Sequence, residues 1–374
     1  MEQYLGQHTP KLGFGLMRLP KLPSGQIDLE QTKEMVDLFL SAGMTYFDTA
    51  YVYDNGDSER AAAAALVQRH PRDSFTLATK LNVRVAKTAD EARGQFTTSL
   101  ERTGAGYFDY YLLHALQESR LGTYEEYRLW DFVSQQKAKG LIKHLGFSFH
   151  DSPQVLDRIL TDHPEAEFVQ LQINYADWED PTVASRANYE VARKHNKPVV
   201  IMEPVKGGAL AAPPAAVQQI LTAADPSVSV PSWAIRFAAS LEGVLTVLSG
   251  MSNLEQMKDN LSYMKDFHPL SPAERSVILR AQDALKQVVS IPCTACRYCV
   301  AGCPMSIPIP DIFEDRNLDL IWGQTQRAKT EYAADTKGKG KASQCIACGQ
   351  CEAACPQHLP IIRHLKDCAA ALEQ

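Results

Sequence analysis

No cysteine occurs before Cys293, so all nine lie in the last quarter of a 374-residue chain. A network of disulfides spread through the fold is thereby excluded. The N-terminus, MEQYLGQHTP, has no basic segment followed by an apolar run, and a secretory signal is not expected. No apolar stretch approaches the ~20 residues needed for a membrane-crossing helix, so no membrane partner is expected. Positive charge is not in excess either. The formal net charge is −6 at pH 7, which gives nucleic acid little to bind. A G-x-G-x-x-G turn is also missing after the first apolar run, where only Gly13 and Gly15 stand. An open, doubly wound dinucleotide fold usually carries that turn there.

What is present is, first, a repetition. The pattern C-x2-C-x2-C-x3-C-P occurs as Cys293, Cys296, Cys299 and Cys303 before Pro304, and again as Cys345, Cys348, Cys351 and Cys355 before Pro356. This is the ligand run of [4Fe–4S] clusters, and in two-cluster domains the fourth cysteine of each run serves the other cluster. The expected sets are therefore Cys293, Cys296, Cys299 and Cys355 on one cluster, and Cys345, Cys348, Cys351 and Cys303 on the second. Zinc prefers two pairs of ligands, often with histidine, over a run of four. Cys368 lies outside the pattern and reads as a helix core residue. Cysteines kept as cluster ligands point to a reducing compartment, so the expected location is the cytoplasm.

Ahead of the runs, eight apolar or β-branched stretches alternate with amphipathic segments. The stretches are 11–17, 45–50, 75–81, 107–114, 142–150, 168–175, 198–205 and 243–251. Segment 29–43 closes on Gly43, the run from Ser58 is rich in alanine, and two later segments close on Gly104 and Gly140, all helix signals. Such alternation predicts parallel strands with crossover helices. Eight units in about 260 residues predict an α/β fold of the closed (β/α)8 TIM-barrel type, with the open doubly wound sheet as the alternative. The expected domains are a barrel over residues 1–270 and a small, mainly α-helical, ferredoxin-like domain over residues 271–374. Ser271, Pro272 and Glu274 form a capping box around an N1 proline, so a helix should start there. The basic segment 336–344 reads as a flexible loop, and a protein electron carrier is a possible partner for it.

Barrel chemistry gathers at the C-terminal strand ends. The sequence places Asp48, Tyr51 and Tyr53, Lys80, His114, Ser148 and His150, Gln172 and Asn174, and Glu203 and Lys206 there. Asp48, Tyr53, Lys80 and His114 together suit carbonyl chemistry. An ammonium lowers the pKa of a nearby phenol, an aspartate holds the ammonium, and a histidine hydrogen-bonds a carbonyl oxygen. The hydride has to come from a cofactor, since no side chain donates one.

The segments FDTAYVYDNGDSE, LATK, YYLLH, GFSFH, LQINY and SGMSNLEQMKDN resemble, in that order, the aldo/keto reductase family over roughly residues 10–265. With its cysteine runs, the chain resembles the subgroup that carries a C-terminal two-cluster ferredoxin-like domain. The resemblance implies Asp48, Tyr53, Lys80 and His114 as a catalytic tetrad, with Tyr53 as proton donor; Tyr51 sits two residues too early for the family spacing. It also implies that NADP(H) or NAD(H) is held by Gly15, Ser148, Gln172, Glu203, Lys206, Ser249, Gly250, Gln256 and Asn260. The chain departs from the family at Phe149, where asparagine is common, and at Ile201-Met202-Glu203, where a stacking tyrosine is common. It departs again at Gly250 and Gln256, where NADP-preferring members carry basic residues. The implied activity is reduction of a small-molecule carbonyl compound or the reverse alcohol oxidation, with the clusters passing electrons or bracing the structure. Two other readings stand beside it: an electron-transfer protein with the barrel as docking platform, and a non-redox barrel enzyme with structural clusters.

Overall fold

The computed structural model describes residues 4–288, 290–293, 295–355 and 357–374; Pro356, which closes the second cysteine run, lies outside the described residues. The chain divides into two compact units. One comprises Met1–Ala211 with Thr222–Ile278, and the other Ala212–Leu221 with Leu279–Gln374.

The first unit is a closed barrel of eight parallel strands in sequence order. They are β1 (Leu12–Gly15), β2 (Tyr46–Asp48), β3 (Thr76–Leu81), β4 (Phe108–Leu116), β5 (Ile142–Phe149), β6 (Phe168–Gln172), β7 (Val199–Met202) and β8 (Val244–Ser249). β8 pairs back onto β1, with Phe14 opposite Ser249. Each strand falls inside or close to an expected stretch. The largest differences are at β6 and β7, which end three residues earlier than the apolar pattern suggests. At β7 the cause is local: Glu203 adopts φ 56°, a left-handed conformation that ends a strand.

The barrel interior is filled by side chains, as a packed (β/α)8 core requires. Tyr46, Ala78, Tyr110, Leu112, Phe168, Val200, Leu245 and Leu248 form one buried cluster. Gly146 makes room for it, since a Cβ there would lie 2.5 Å from the Phe168 carbonyl oxygen. A larger core separates strands from helices. The helix Leu29–Ser41, capped by Asp28 accepting the Gln31 N–H, buries Met35, Val36 and Phe39 on one stripe. Phe39 meets Phe47 edge-on at 5.2 Å between ring centroids. Burying one such side chain contributes about 1.5–3 kcal/mol.

The second unit is mainly helical. Ile309–Trp322, Thr325–Asp335 and Ile361–Leu372 bury Ile312, Phe313, Ala328, Tyr332, Leu365 and Cys368 in one core. Burial pushes the Cys368 thiol up to about 12, the mark of an inert core cysteine. The helix Pro272–Lys286, which begins in the first unit, starts at the capping box: the Ser271 N–H donates to Glu274 Oε2 at 2.8 Å, and the Glu274 N–H to Ser271 Oγ at 3.3 Å. Segment 336–344 is not the free loop its composition suggests. The Gly340 N–H donates to Ser306 O, the Ala342 N–H to Tyr332 Oη at 2.9 Å, and Ser343 donates twice to Glu373. Backbone bonds of this kind leave no trace in charge composition.

Candidate active site and cluster sites

β2 and β3 lie side by side, with Asp48 opposite Ala78. Their ends bring Asp48 and Lys80 together inside the barrel mouth. Lys80 Nζ donates to Asp48 Oδ1 at 2.5 Å, to Thr49 O at 2.7 Å and to Tyr53 Oη at 3.3 Å. Both charged groups are buried, and charges removed from water persist only when paired. Burial works to depress the Lys80 ammonium, but Asp48 and Tyr53 outweigh it and hold its pKa above the ordinary value. At Tyr53 burial wins. It raises the phenol's pKa, and Lys80 opposes this without overcoming it. The ammonium does pull this phenol down as expected, but burial outweighs it, so the net shift is upward and Tyr53 stays protonated through neutral pH.

The choice between the two tyrosines is made by Arg102. Its guanidinium lies 4.4 Å from the Tyr51 ring centroid, donates to Tyr51 O at 2.9 Å and pairs with the fully buried Glu59 at 3.1 Å. Gly56, at φ 92°, leaves the space: a Cβ there would meet Arg102 at 2.5 Å. Tyr51 is thus bound to Arg102, while Tyr53 faces Lys80.

His114 completes the group, its ring 5.8 Å from that of Tyr53 and nearly perpendicular to it. A bulge places it there. The register of β4 against β5 shifts between Leu113 and Leu116, and Ala115 takes φ 57°, re-aiming a side chain as bulges do. Ser148 Oγ accepts the Ala115 N–H at 2.7 Å and so fastens the bulge. Burial, with the positive charges of Lys80, Arg84 and Arg120 nearby, holds His114 well below its ordinary pKa and keeps the ring neutral. Asn82 sets its tautomer. The Asn82 amide oxygen accepts the Arg84 N–H at 2.9 Å, so the amide nitrogen is the atom 3.2 Å from His114 Nδ1. An amide nitrogen only donates, so Nδ1 accepts and the ring proton sits on Nε2. Asn82→Leu removes a hydrogen bond worth about 1 kcal/mol. The expected result is a mixture of His114 tautomers by nitrogen NMR, in place of a single Nε2-protonated form. An unchanged His114 spectrum in the variant would count against this assignment.

A cleft of about 340 Å³ opens over Asp48 and Tyr53 and runs past the ends of β1, β7 and β8 to the helix Leu254–Met264. Of the residues expected to hold a cofactor, Gly15, Glu203, Ser249, Gly250, Gln256 and Asn260 line it. Asn260 Nδ2 donates to Ser249 Oγ at 2.7 Å, which steadies both. Ser148, Gln172 and Lys206 do not line it. Ser148 is engaged by the β4 bulge. Gln172 Nε2 donates to Asp177 Oδ2 at 3.1 Å, and Lys206 is ion-paired with Asp177 Oδ1. Among the lining residues that the sequence did not point to are Gln170 and Arg18. Gln170 is two positions before Gln172 on the same strand face, and its Oε1 is buried without a hydrogen-bond partner among the described residues. Placing the end of β6 at residue 175 shifted the expected mouth past it. Arg18 follows β1, with its stem against Gly250 and its guanidinium 3.7 Å from Glu203 Oε1.

In the second unit, Cys293, Cys296, Cys299 and Cys355 line one small cavity, beside Phe313 and Leu359. Cys303, Cys345, Cys348 and Cys351 line another, beside Ile307 and Leu365. Each cavity thus takes three cysteines from one run and the fourth from the other. Left-handed residues wind the runs, Ala295 and Arg297 in the first and Ala347 and Gly349 in the second. None of these cysteines is in a disulfide.

Residues 11–281 match the model of the aldo/keto reductase family, and residues 292–359 match a 4Fe-4S dicluster domain. Probable aldo-keto reductase 1 of Glycine max is 27% identical over 184 residues, which are 46% of this chain and 50% of that protein, so this chain spans half of that relative's length. An aldo-keto reductase of Mycolicibacterium vanbaalenii is 28% identical over 258 residues, 67% of this chain and 81% of that protein. Among solved structures, aldo-keto reductase AKR11C1 from Bacillus halodurans in its holo form aligns with a TM-score of 0.59 at 24% identity, covering 75% of this chain and 95% of that one. An aldo-keto reductase from Klebsiella pneumoniae in complex with NADPH aligns with a TM-score of 0.58 at 22% identity, covering 73% and 90%. At these identities the structural likeness establishes the fold.

Proposed function

The chain belongs to the aldo/keto reductase family, and on that premise we propose that it reduces a small carbonyl compound with a nicotinamide cofactor held in the cleft. The observation that carries this reading is the Tyr53 hydroxyl, at the floor of the cleft and 3.3 Å from the charged Lys80 Nζ. A bound nicotinamide supplies the hydride. Gly15, Gln170, Glu203, Ser249, Gly250, Gln256 and Asn260 would hold it, with Arg18 as the cleft's cation for a phosphate. The unpartnered Gln170 Oε1 suits the N–H of a carboxamide. Tyr53 donates its proton to the carbonyl oxygen as charge develops there, and the Lys80 ammonium stabilises the phenolate left behind. His114 donates Nε2–H to the same oxygen and orients it. Asp48 keeps Lys80 charged and in place.

The eight ligand cysteines are read as holding two [4Fe–4S] clusters in the two cavities, where they supply one-electron chemistry. Hydride and proton together complete a carbonyl reduction, so that step requires nothing from the clusters. The test uses anaerobically purified protein with clusters intact. NADPH, then NADH, is added with a short aldehyde. Expected is nicotinamide oxidation that depends on the aldehyde and matches the alcohol formed. Absence of aldehyde-dependent turnover with either nicotinamide would defeat the proposal. Electron paramagnetic resonance on the same samples reports whether the clusters take electrons.

A further inference from the structure

Two arginines near His114 in the fold have no carboxylate partner among the described residues. Arg120, on the helix Glu118–Glu126, donates through Nη1 to Ala115 O at 3.1 Å, which ties its guanidinium to the residue after His114. Arg84 sits in the turn Val83–Val85 after β3, and its N–H donates to the amide that reaches His114. Among the described residues neither arginine enters an ion pair. Acids on neighbouring elements are engaged elsewhere: Asp48 holds Lys80, Glu91 accepts the Lys87 N–H, Glu118 pairs with Arg158, and Asp151 accepts the Glu118 and Ser152 N–H groups. The charges of Lys80, Arg84 and Arg120 all act on His114 against its protonated form. Burial and the charge of Arg84 lower the pKa of Arg120, so the partly buried Arg120 and the exposed Arg84 repel each other. An anion arriving there relieves that repulsion and gains charge-assisted hydrogen bonds.

We propose that the carbonyl substrate carries an anionic group, a carboxylate or a phosphate, which Arg84 and Arg120 hold while its carbonyl oxygen meets Tyr53 and His114. This rests on the reductase reading above and names the substrate class for it. The hydride from the nicotinamide and the proton from Tyr53 add across the C=O bond, and the anionic group passes through the reaction unchanged.

The test compares matched pairs: phenylglyoxylate with its methyl ester, and glyceraldehyde 3-phosphate with glyceraldehyde. The holoprotein with NADPH is expected to favour at least one anionic member by tenfold or more in kcat/KM. Which pair shows the preference distinguishes carboxylate from phosphate. Arg84→Gln and Arg120→Gln should each shrink that ratio about tenfold, mainly through KM, and added salt should shrink it in the parent protein. Arg84 is exposed, so its variant should fold even if that of Arg120 does not. Equal reduction of the neutral and anionic members in both pairs overturns the anion site and leaves the reductase reading intact. If no compound is reduced, calorimetry of phenylglyoxylate and of glyceraldehyde 3-phosphate against the NADP+-loaded protein decides. Binding that Arg84→Gln weakens keeps the anion site while the reductase reading falls; no binding of either overturns the site.

Discussion

Tyr53→Phe is expected to cut carbonyl reduction by a factor of roughly 10²–10⁴, the usual worth of a positioned general acid. The variant loses one oxygen and nothing else in the floor of the cleft. Lys80 keeps its bonds to Asp48 Oδ1 and Thr49 O, so the buried ammonium stays paired and the mouth of the barrel stays intact. NADPH should therefore bind the variant nearly as it binds the parent, and the loss should appear in kcat. A Phe variant with near-parental turnover would remove Tyr53 from the chemistry and favour a non-redox role for the barrel. The pH profile gives a second check. Reduction needs the protonated phenol, and burial raises the Tyr53 pKa above its ordinary value. Reduction should hold through neutral and mildly alkaline pH and fall only above the ordinary phenol range. Alcohol oxidation, which needs the phenolate, should rise across the same range.

The barrel was legible because its signal is repeated eight times and carried by burial. Strands such as Phe108–Leu116 and Val244–Ser249 are apolar on both faces, and the segments between them have a helical period, so chance placement of one element does not disturb the whole. The gathering of Asp48, Lys80 and His114 was legible for a related reason. Asp48, Lys80 and His114 lie at or near the ends of adjacent strands, where geometry brings neighbours in order into neighbours in space. What sequence could not fix was any position decided by a single turn. The slip from Gln170 to Gln172 is one strand period. Ser148 looked like a ligand-binding hydroxyl, yet it is occupied by the N–H of a bulge that no pattern announces. Lys206 was expected to hold the cofactor, and only the fold shows Asp177 beside it, 29 residues away in the chain. Burial of Tyr53 outweighed its lysine, a balance that depends on how much water the fold removes. Nor does sequence show which acids lie within reach of Arg84 and Arg120.

The cysteine runs allow a prediction whose outcome depends on how they cross. Single replacement of Cys299 or Cys351, both nearly buried, should cost one cluster and leave about four of eight irons. The double replacements separate the arrangements. Cys355 shares a cavity with Cys293, Cys296 and Cys299, so Cys299→Ser with Cys355→Ser damages one site twice, and about four irons should remain. Cys351→Ser with Cys355→Ser strikes both sites, and iron should fall towards zero. If each run built its own cluster, the two results would be exchanged. Because the cavities are also lined by core residues of the same unit, Phe313 and Leu359 in one and Ile307 and Leu365 in the other, filling them is part of folding this unit. Ligand loss at both sites should therefore lower its helical signal as well as its iron. The barrel has its own core and no cysteine, so aldehyde reduction should survive in the double variant that keeps one cluster. Parallel loss of reduction and iron there would mean that the carbonyl step needs the clusters after all.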